Sequence, residues 1–152
     1  MIWKQRKMTK ISKNFTLEEF IKSTTAKNKK IDNTPGDTEI FYIEKLAEQL
    51  QRIRNRYGKP IIISSGYRCD KLNRAVGGAK NSDHRFGAAA DIHSVEDTYE
   101  ANKELWDVIM EMYTEGELEL RQIIDEYKLD WIHISVNNEF NKMKNNEILH
   151  IV

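Results

Sequence analysis

Four histidines stand in this chain, at positions 84, 93, 133 and 150. His84 has the most suggestive neighbours. In Ser82-Asp83-His84-Arg85-Phe86-Gly87-Ala88-Ala89-Ala90-Asp91-Ile92-His93 an imidazole lies in a glycine-containing loop, and a carboxylate follows at the start of a β-type run. The residues between them are small, so backbone and side chains can converge on one point. A catalytic zinc takes three protein ligands from His, Asp or Glu and keeps its fourth position open. His84 and Asp91 supply two. The third can be His93, which shares a strand face with Asp91 because side chains two apart point the same way. It can equally be the distant His133 of Asp130-Trp131-Ile132-His133-Ile134-Ser135. Spacing alone leaves both open. The chemistry such a set performs is hydrolysis assisted by a metal ion.

These residues need elements to hold them. Thr16-Leu17-Glu18-Glu19 reads as a capping box opening a short helix, with Phe20 and Ile21 as its apolar face. Residues 23–37 are polar and expected to be irregular. Asp37 or Thr38 then caps a long helix in which Ile43, Leu46, Leu50, Ile53 and Tyr57 form one stripe. Gly58 and Pro60 stop it. Ile61-Ile62-Ile63 reads as a buried strand, residues 66–87 as a long loop or broken helix, and 88–93 as a second strand. A helix from about Asp97-Thr98 buries Leu105, Val108, Ile109 and Met112. Runs near 120–126 and 131–136 read as strands with a turn between, and Glu147 to Val152 as an edge strand. Helices first and mostly antiparallel strands later predict an α+β domain. One domain over 1–152 is expected from the length.

Ser65-Gly66-Tyr67-Arg68, Asn73-Arg74-Ala75-Val76-Gly77-Gly78, the His84 to Asp91 segment and Trp131-Ile132-His133 occur in this order. Together they resemble the M15 family of zinc D-Ala-D-Ala carboxypeptidases, which also includes phage L-alanyl-D-glutamate endolysins and D-alanyl-D-alanine dipeptidases. The resemblance implies a Hedgehog/DD-peptidase-like fold, a small antiparallel sheet with flanking helices. It implies zinc held by His84, Asp91 and His133, which leaves His93 a neighbouring role. It makes Asp130, three before the last ligand, the general base. Arg68 becomes the cation that holds a carbonyl or carboxylate oxygen, and Ser82 a partner of the substrate backbone. Asp130 and His133 would face opposite ways on a regular strand, so a turn or bulge is expected at 130–131. The bond implied is an amide of the peptidoglycan stem peptide. The expected enzyme is an endolysin-like endopeptidase of phage or prophage origin, with a carboxypeptidase as the alternative.

Other features are weighed against plainer readings. Cys69, the single cysteine, lacks a motif base and reads as inert. Trp131 reads as core or pocket wall. Gly77-Gly78 lacks the Gly-Lys-Ser/Thr of a phosphate loop. Residues 1–30 hold nine Lys and Arg against two Glu, a net +7, so the remainder carries −7. Residues 1–13 are therefore expected to be a basic, mobile arm able to touch anionic wall polymer. A neutral whole argues against nucleic acid as partner, and no apolar run is long enough for membrane insertion. No apolar signal region follows Met1-Ile2-Trp3-Lys4. The expectation is a monomer made in the cytoplasm that reaches the cell wall after release. Two rivals belong to other classes. A zinc-containing binding module has no need of Asp130 and Arg68 together. A two-carboxylate lysozyme leaves His84, Asp91 and His133 without a purpose.

Overall fold

The computed structural model describes residues 9–141 and 147–151. Three short or long helices precede the sheet: α1 (Leu17–Ile21), α2 (Thr24–Asn28) and α3 (Asp37–Tyr57). The capping box at Thr16 is formed, with the Thr16 amide donating to Glu19 Oε2 at 2.7 Å. The polar stretch after α1 is not wholly irregular, because Ser23 accepts the Ala26 amide and caps α2. On α3 the N-cap is Gly36 rather than Asp37 or Thr38. Asp37 and Glu39 fill its first turn and Arg54 and Arg56 its last, the charge order a helix dipole favours. Gly58 ends it at φ 78°. The stripe expected on α3 is buried from Tyr42 to Tyr57.

Strand β1 (Ile61–Ser65) leads through α4 (Asp70–Ala75) and one 3-10 turn, Asp83–Phe86, to β2 (Ala89–Ser94). The long connection at 66–87 is thus two short helical pieces. Helix α5 (Tyr99–Thr114) follows, capped by Thr98, and then β3 (Gln122–Glu126), β4 (Trp131–Ser135) and β5 (Glu147–Ile151). The sheet order is β1-β2-β4-β3-β5. The first four strands pair antiparallel, while β5 joins β3 in parallel. The expected edge strand is present over 147–151, with Val152 outside the described residues, though its direction departs from an all-antiparallel sheet. The architecture is α+β.

The period of two along each strand separates two jobs. Ala90 and Ile92 of β2, Ile123 of β3, and Ile132 and Ile134 of β4 face one way and join a core with Leu46, Leu50, Ile53, Leu105 and Ile109. Asp91, Ile124, Glu126, Trp131 and His133 face the other way and line a cavity of about 610 Å³. Burial of the first set in the helices holds the second set still. Of the basic arm, residues 1–8 lie outside the described residues. Residues 9–13 are docked: the Leu17 amide donates to the Thr9 carbonyl at 2.8 Å, and Lys10 bridges to Thr16.

Candidate active site

His84 sits at the second position of the 3-10 turn and is 3% exposed. The turn starts at Ser82, whose hydroxyl accepts the His84 amide at 3.2 Å. It ends at Gly87, at φ 75°, where a Cβ would lie 2.5 Å from the Glu39 carbonyl of α3. Only glycine fits there. The His84 ring is aimed by its Nδ1, 2.7 Å from the Gly66 carbonyl. A carbonyl only accepts, so Nδ1 carries the proton and Nε2 keeps a free lone pair. That Nε2 is 3.4 Å from Asp91 Oδ1. His133 Nδ1 lies 3.0 Å from the same oxygen, as the cross-strand pairing of Asp91 with His133 requires.

The three side chains offer ligand atoms all within 4.8 Å of one another. Ligands about 2.0–2.2 Å from a tetrahedral zinc stand roughly 3.3–3.6 Å apart; the 3.4 Å between His84 and Asp91 falls in that range, and the 3.0 Å between His133 and Asp91 is a few tenths of an ångström short of it. Two imidazoles and a carboxylate are also the donor chemistry zinc prefers. Burial pushes the Asp91 carboxyl up, but the imidazoles of His84 and His133 more than reverse this and hold it well below the usual range. Burial pushes the His84 imidazole down against the pull of Asp91. An ionised carboxylate and a His84 ring that burial keeps from charging both favour a bound cation.

His93 is not in this group. Its Nδ1 is 2.8 Å from the Ser94 carbonyl and 3.4 Å from Asp97 Oδ1. It shares a face with Asp91, but two residues along a strand is roughly 6.6 Å. Asp130, expected as the general base, is exposed and does not line the cavity. The expected turn exists, but it covers 127–130 and leaves Asp130 at its end. The cavity instead holds Glu126, paired across the hairpin with Trp131. Burial pushes the Glu126 carboxyl up, and the charge of Asp91 adds to this. His133, the Trp131 side chain and Arg68 pull it partly back. The indole N–H of Trp131 is buried and makes no full hydrogen bond among the described residues. Glu126 was legible as one of three same-face positions in Gln122-Ile123-Ile124-Asp125-Glu126, but only once the hairpin register is known.

Arg68 lines the same cavity. Its Nε donates to Asn73 Oδ1 at 3.1 Å, while Nη1 and Nη2 reach the Ser65 and Ser82 hydroxyls at 3.4 Å each. Asn73 in turn donates to the Ala79 carbonyl. A Cβ at Gly78 would fall 2.1 Å from Asn73 Oδ1, so this glycine makes room for the arginine's support. Ser82 thus serves Arg68 and the 3-10 turn, besides lining the cavity. Cys69 acts as the N-cap of α4, its sulfur accepting the Leu72 amide at 3.4 Å. Behind the turn, Asp83 is buried against Arg121 Nη1 (2.6 Å), Asn138 Nδ2 (3.0 Å) and Asn141 Nδ2 (2.6 Å).

The hairpin joining β3 and β4 is strained. Tyr127, Lys128 and Leu129 all lie in the left-handed region, at φ 52°, 56° and 62°. Each such residue costs about 1–2 kcal/mol. The surroundings compel it: the Leu129 amide donates to Asp125 Oδ1 at 2.7 Å, its carbonyl accepts from Asn102 at 2.9 Å, and its side chain is buried. The result sets Tyr127 at the cavity mouth.

A family model described as Peptidase M15 covers residues 13–135, which includes α1 through β4 and every cavity residue except Ile151. No curated protein matches the chain.

Proposed function

The chain belongs to the peptidase M15 family and is a metallopeptidase, and from this premise we propose that it hydrolyses an amide bond in the stem peptide of bacterial peptidoglycan. The observation that carries the proposal is one cavity holding His84, Asp91 and His133 together with Glu126 and Arg68. The first three are the residues that would hold zinc. Zinc there supplies a Lewis acid that polarises a carbonyl and acidifies water.

The chain's own residues do the rest. Glu126, ionised, accepts the proton of the attacking water as oxygen adds to the carbonyl carbon. It returns that proton to the departing amine nitrogen as the C–N bond breaks. Its raised pKa suits both halves of the task. Arg68 keeps its charge, and its half-buried, hydrogen-bonded guanidinium supplies fixed donors for a carbonyl or carboxylate oxygen. Ser82 and Asn73 keep that guanidinium in place. A binding module needs no such paired base and cation.

The finer reading is an endopeptidase of the endolysin type acting on the wall. It is supported by a cavity that continues on both sides of the histidines, from Val76 and Gly77 to Tyr127 and Ile151, which gives chain room on either side of the cut. The test is a digest of purified peptidoglycan by the wild-type protein, Glu126→Gln and Asp130→Ala, each with and without chelator, read by mass spectrometry. Expected are chelator-sensitive fragments with new amino ends from the wild type and from Asp130→Ala. Glu126→Gln should be slower by about 10²–10⁴. Release of single alanines alone would favour the carboxypeptidase. An uncut wall of every chemotype would reject the peptidase reading.

A further inference from the structure

The helix side of the sheet carries a second cavity, of about 410 Å³, which shares no lining residue with the first. Helix α5 packs mainly on α3, β2 and β4. Past its edge the same surface of β3 and β5 lies open. Tyr99, Lys103 and Trp106 stand on one side of α5, at steps of four and three, and face this opening. Trp106 and Leu129 are buried and form the floor, while Tyr99 is 56% exposed and forms a wall.

One layer of chain divides the two cavities. Asp125 lines the second and Glu126 the first, and they are consecutive on β3. His150 and Ile151 divide in the same way on β5, as do Lys128 and Tyr127 on the turn before β4. A polymer leaving the active cavity over this rim arrives at the second one. The groups waiting there are fixed. Asp125 Oδ1 accepts the Leu129 amide at 2.7 Å, and Oδ2 lies 3.1 Å from His150 Nδ1. The His150 ring centroid is 5.3 Å from that of Trp106. A carboxylate only accepts, so Nδ1 carries the proton, and the remaining lone pairs of Asp125 are left for donors from a ligand. Lys128, exposed at the rim, donates in return.

We propose that this second cavity holds a sugar ring of the glycan strand that carries the stem peptide, with Tyr99 and Trp106 against its C–H face and Asp125, His150 and Lys128 on its hydroxyls. The proposal rests on the peptidoglycan reading of the active cavity and adds a contact with the part of the polymer that is not cut. A pyranose has what this set of groups requires: one apolar face for an aromatic ring, and hydroxyls that both donate and accept. The phosphates of an anionic wall polymer bring no donors and meet Asp125 as like charges. A peptide backbone presents separate amides and no ring face to cover Tyr99.

Binding separates this site from the chemistry. Calorimetry of the full chain with a peptide-free oligosaccharide of N-acetylated amino sugars compares the wild type with Tyr99→Ala and His150→Ala. Both side chains are exposed, and equal melting curves show that the fold is kept. Expected is binding by the wild type and a loss of affinity of about five- to tenfold in each variant. In turnover, kcat/KM for a glycan-linked stem peptide should exceed that for the same peptide alone, through KM, and Tyr99→Ala should shrink that ratio. No binding of the oligosaccharide by the wild type, or equal affinity of Tyr99→Ala and the wild type, overturns the site. Tighter binding of a polyol-phosphate polymer, weakened by Tyr99→Ala, would put a wall anion in the cavity and overturn the sugar. A wild type that binds the oligosaccharide through Tyr99 and cuts neither substrate overturns the peptidase reading instead and leaves the sugar site standing.

Discussion

Two carboxylates, Asp130 three residues and Glu126 seven residues before His133, are candidates for the role of base, and Glu126 is proposed from their surroundings. Asp130 faces water, while Glu126 is partly buried beside Asp91 and His133 with its carboxyl pushed up, first by burial and then by Asp91. A base must be ionised, so activity should be present above the Glu126 pKa and fall as pH drops through it. The acid limb of kcat/KM is therefore expected above the ordinary glutamate value of about 4.3. Arg68 pulls that carboxyl down, so Arg68→Gln should move the limb further up the pH scale, besides raising KM. A limb at the ordinary value in the wild type would take the role from Glu126. The residues alone pointed to His84 and Asp91, because a histidine and an aspartate flanked by small residues form a local pattern, and left the third ligand open between His93 and His133 until the family resemblance chose His133. It could not point to Glu126. Strand parity is readable from side-chain alternation, but which residue of β3 meets Trp131 depends on a four-residue turn with three left-handed positions, and Tyr127, Lys128 and Leu129 are not residue types that advertise one.

At the scale of elements, the 3-10 turn that carries His84 is held from three directions. Asp83 ties it to Arg121 at the entry of β3 and to Asn138 and Asn141 beyond β4. Asp83 and Arg121 are 5% and 8% exposed, so removing one partner leaves the other charge buried alone. Asp83→Ala is expected to cost about 3–5 kcal/mol, read from denaturant unfolding, and to weaken metal binding by about 10–100-fold. Unchanged zinc affinity in the folded variant would make Asp83 a purely structural anchor. The long helices were legible from their apolar stripes and caps. The short pieces α2, α4 and the 3-10 turn were not. Helices of one turn or so have no periodicity to read, and they form here because Ser23, Cys69 and Ser82 cap them and tertiary contacts hold them.

At the scale of the whole molecule, the sheet divides labour between its faces. The helices cover one side, and the cavity occupies the other. No helix among the described residues is long and apolar enough to cross a membrane. A ligand that binds only the folded chain stabilises it by mass action. Zinc at 100 times its Kd should add about 2.7 kcal/mol, which is roughly 5–10 °C in Tm for a chain of this size. Melting curves with and without chelator check this without any substrate. An unchanged Tm on stripping the metal would mean that the His84, Asp91 and His133 group binds no ion tightly. The first residues of the chain carry a related expectation. Residues 9–13 are bonded to the start of α1, so removing 1–13 takes away packing as well as charge.

The functional groups gather from Gly66, whose carbonyl aims His84, to His133 on β4. No shorter stretch of chain contains them. During translation the ribosome must release β4 before the third ligand, His133, and the strand that positions Glu126 exist. Until then a nascent chain carries fragments of a peptidase with no competence at all, and the enzyme becomes dangerous to its substrate in a single late step rather than by degrees.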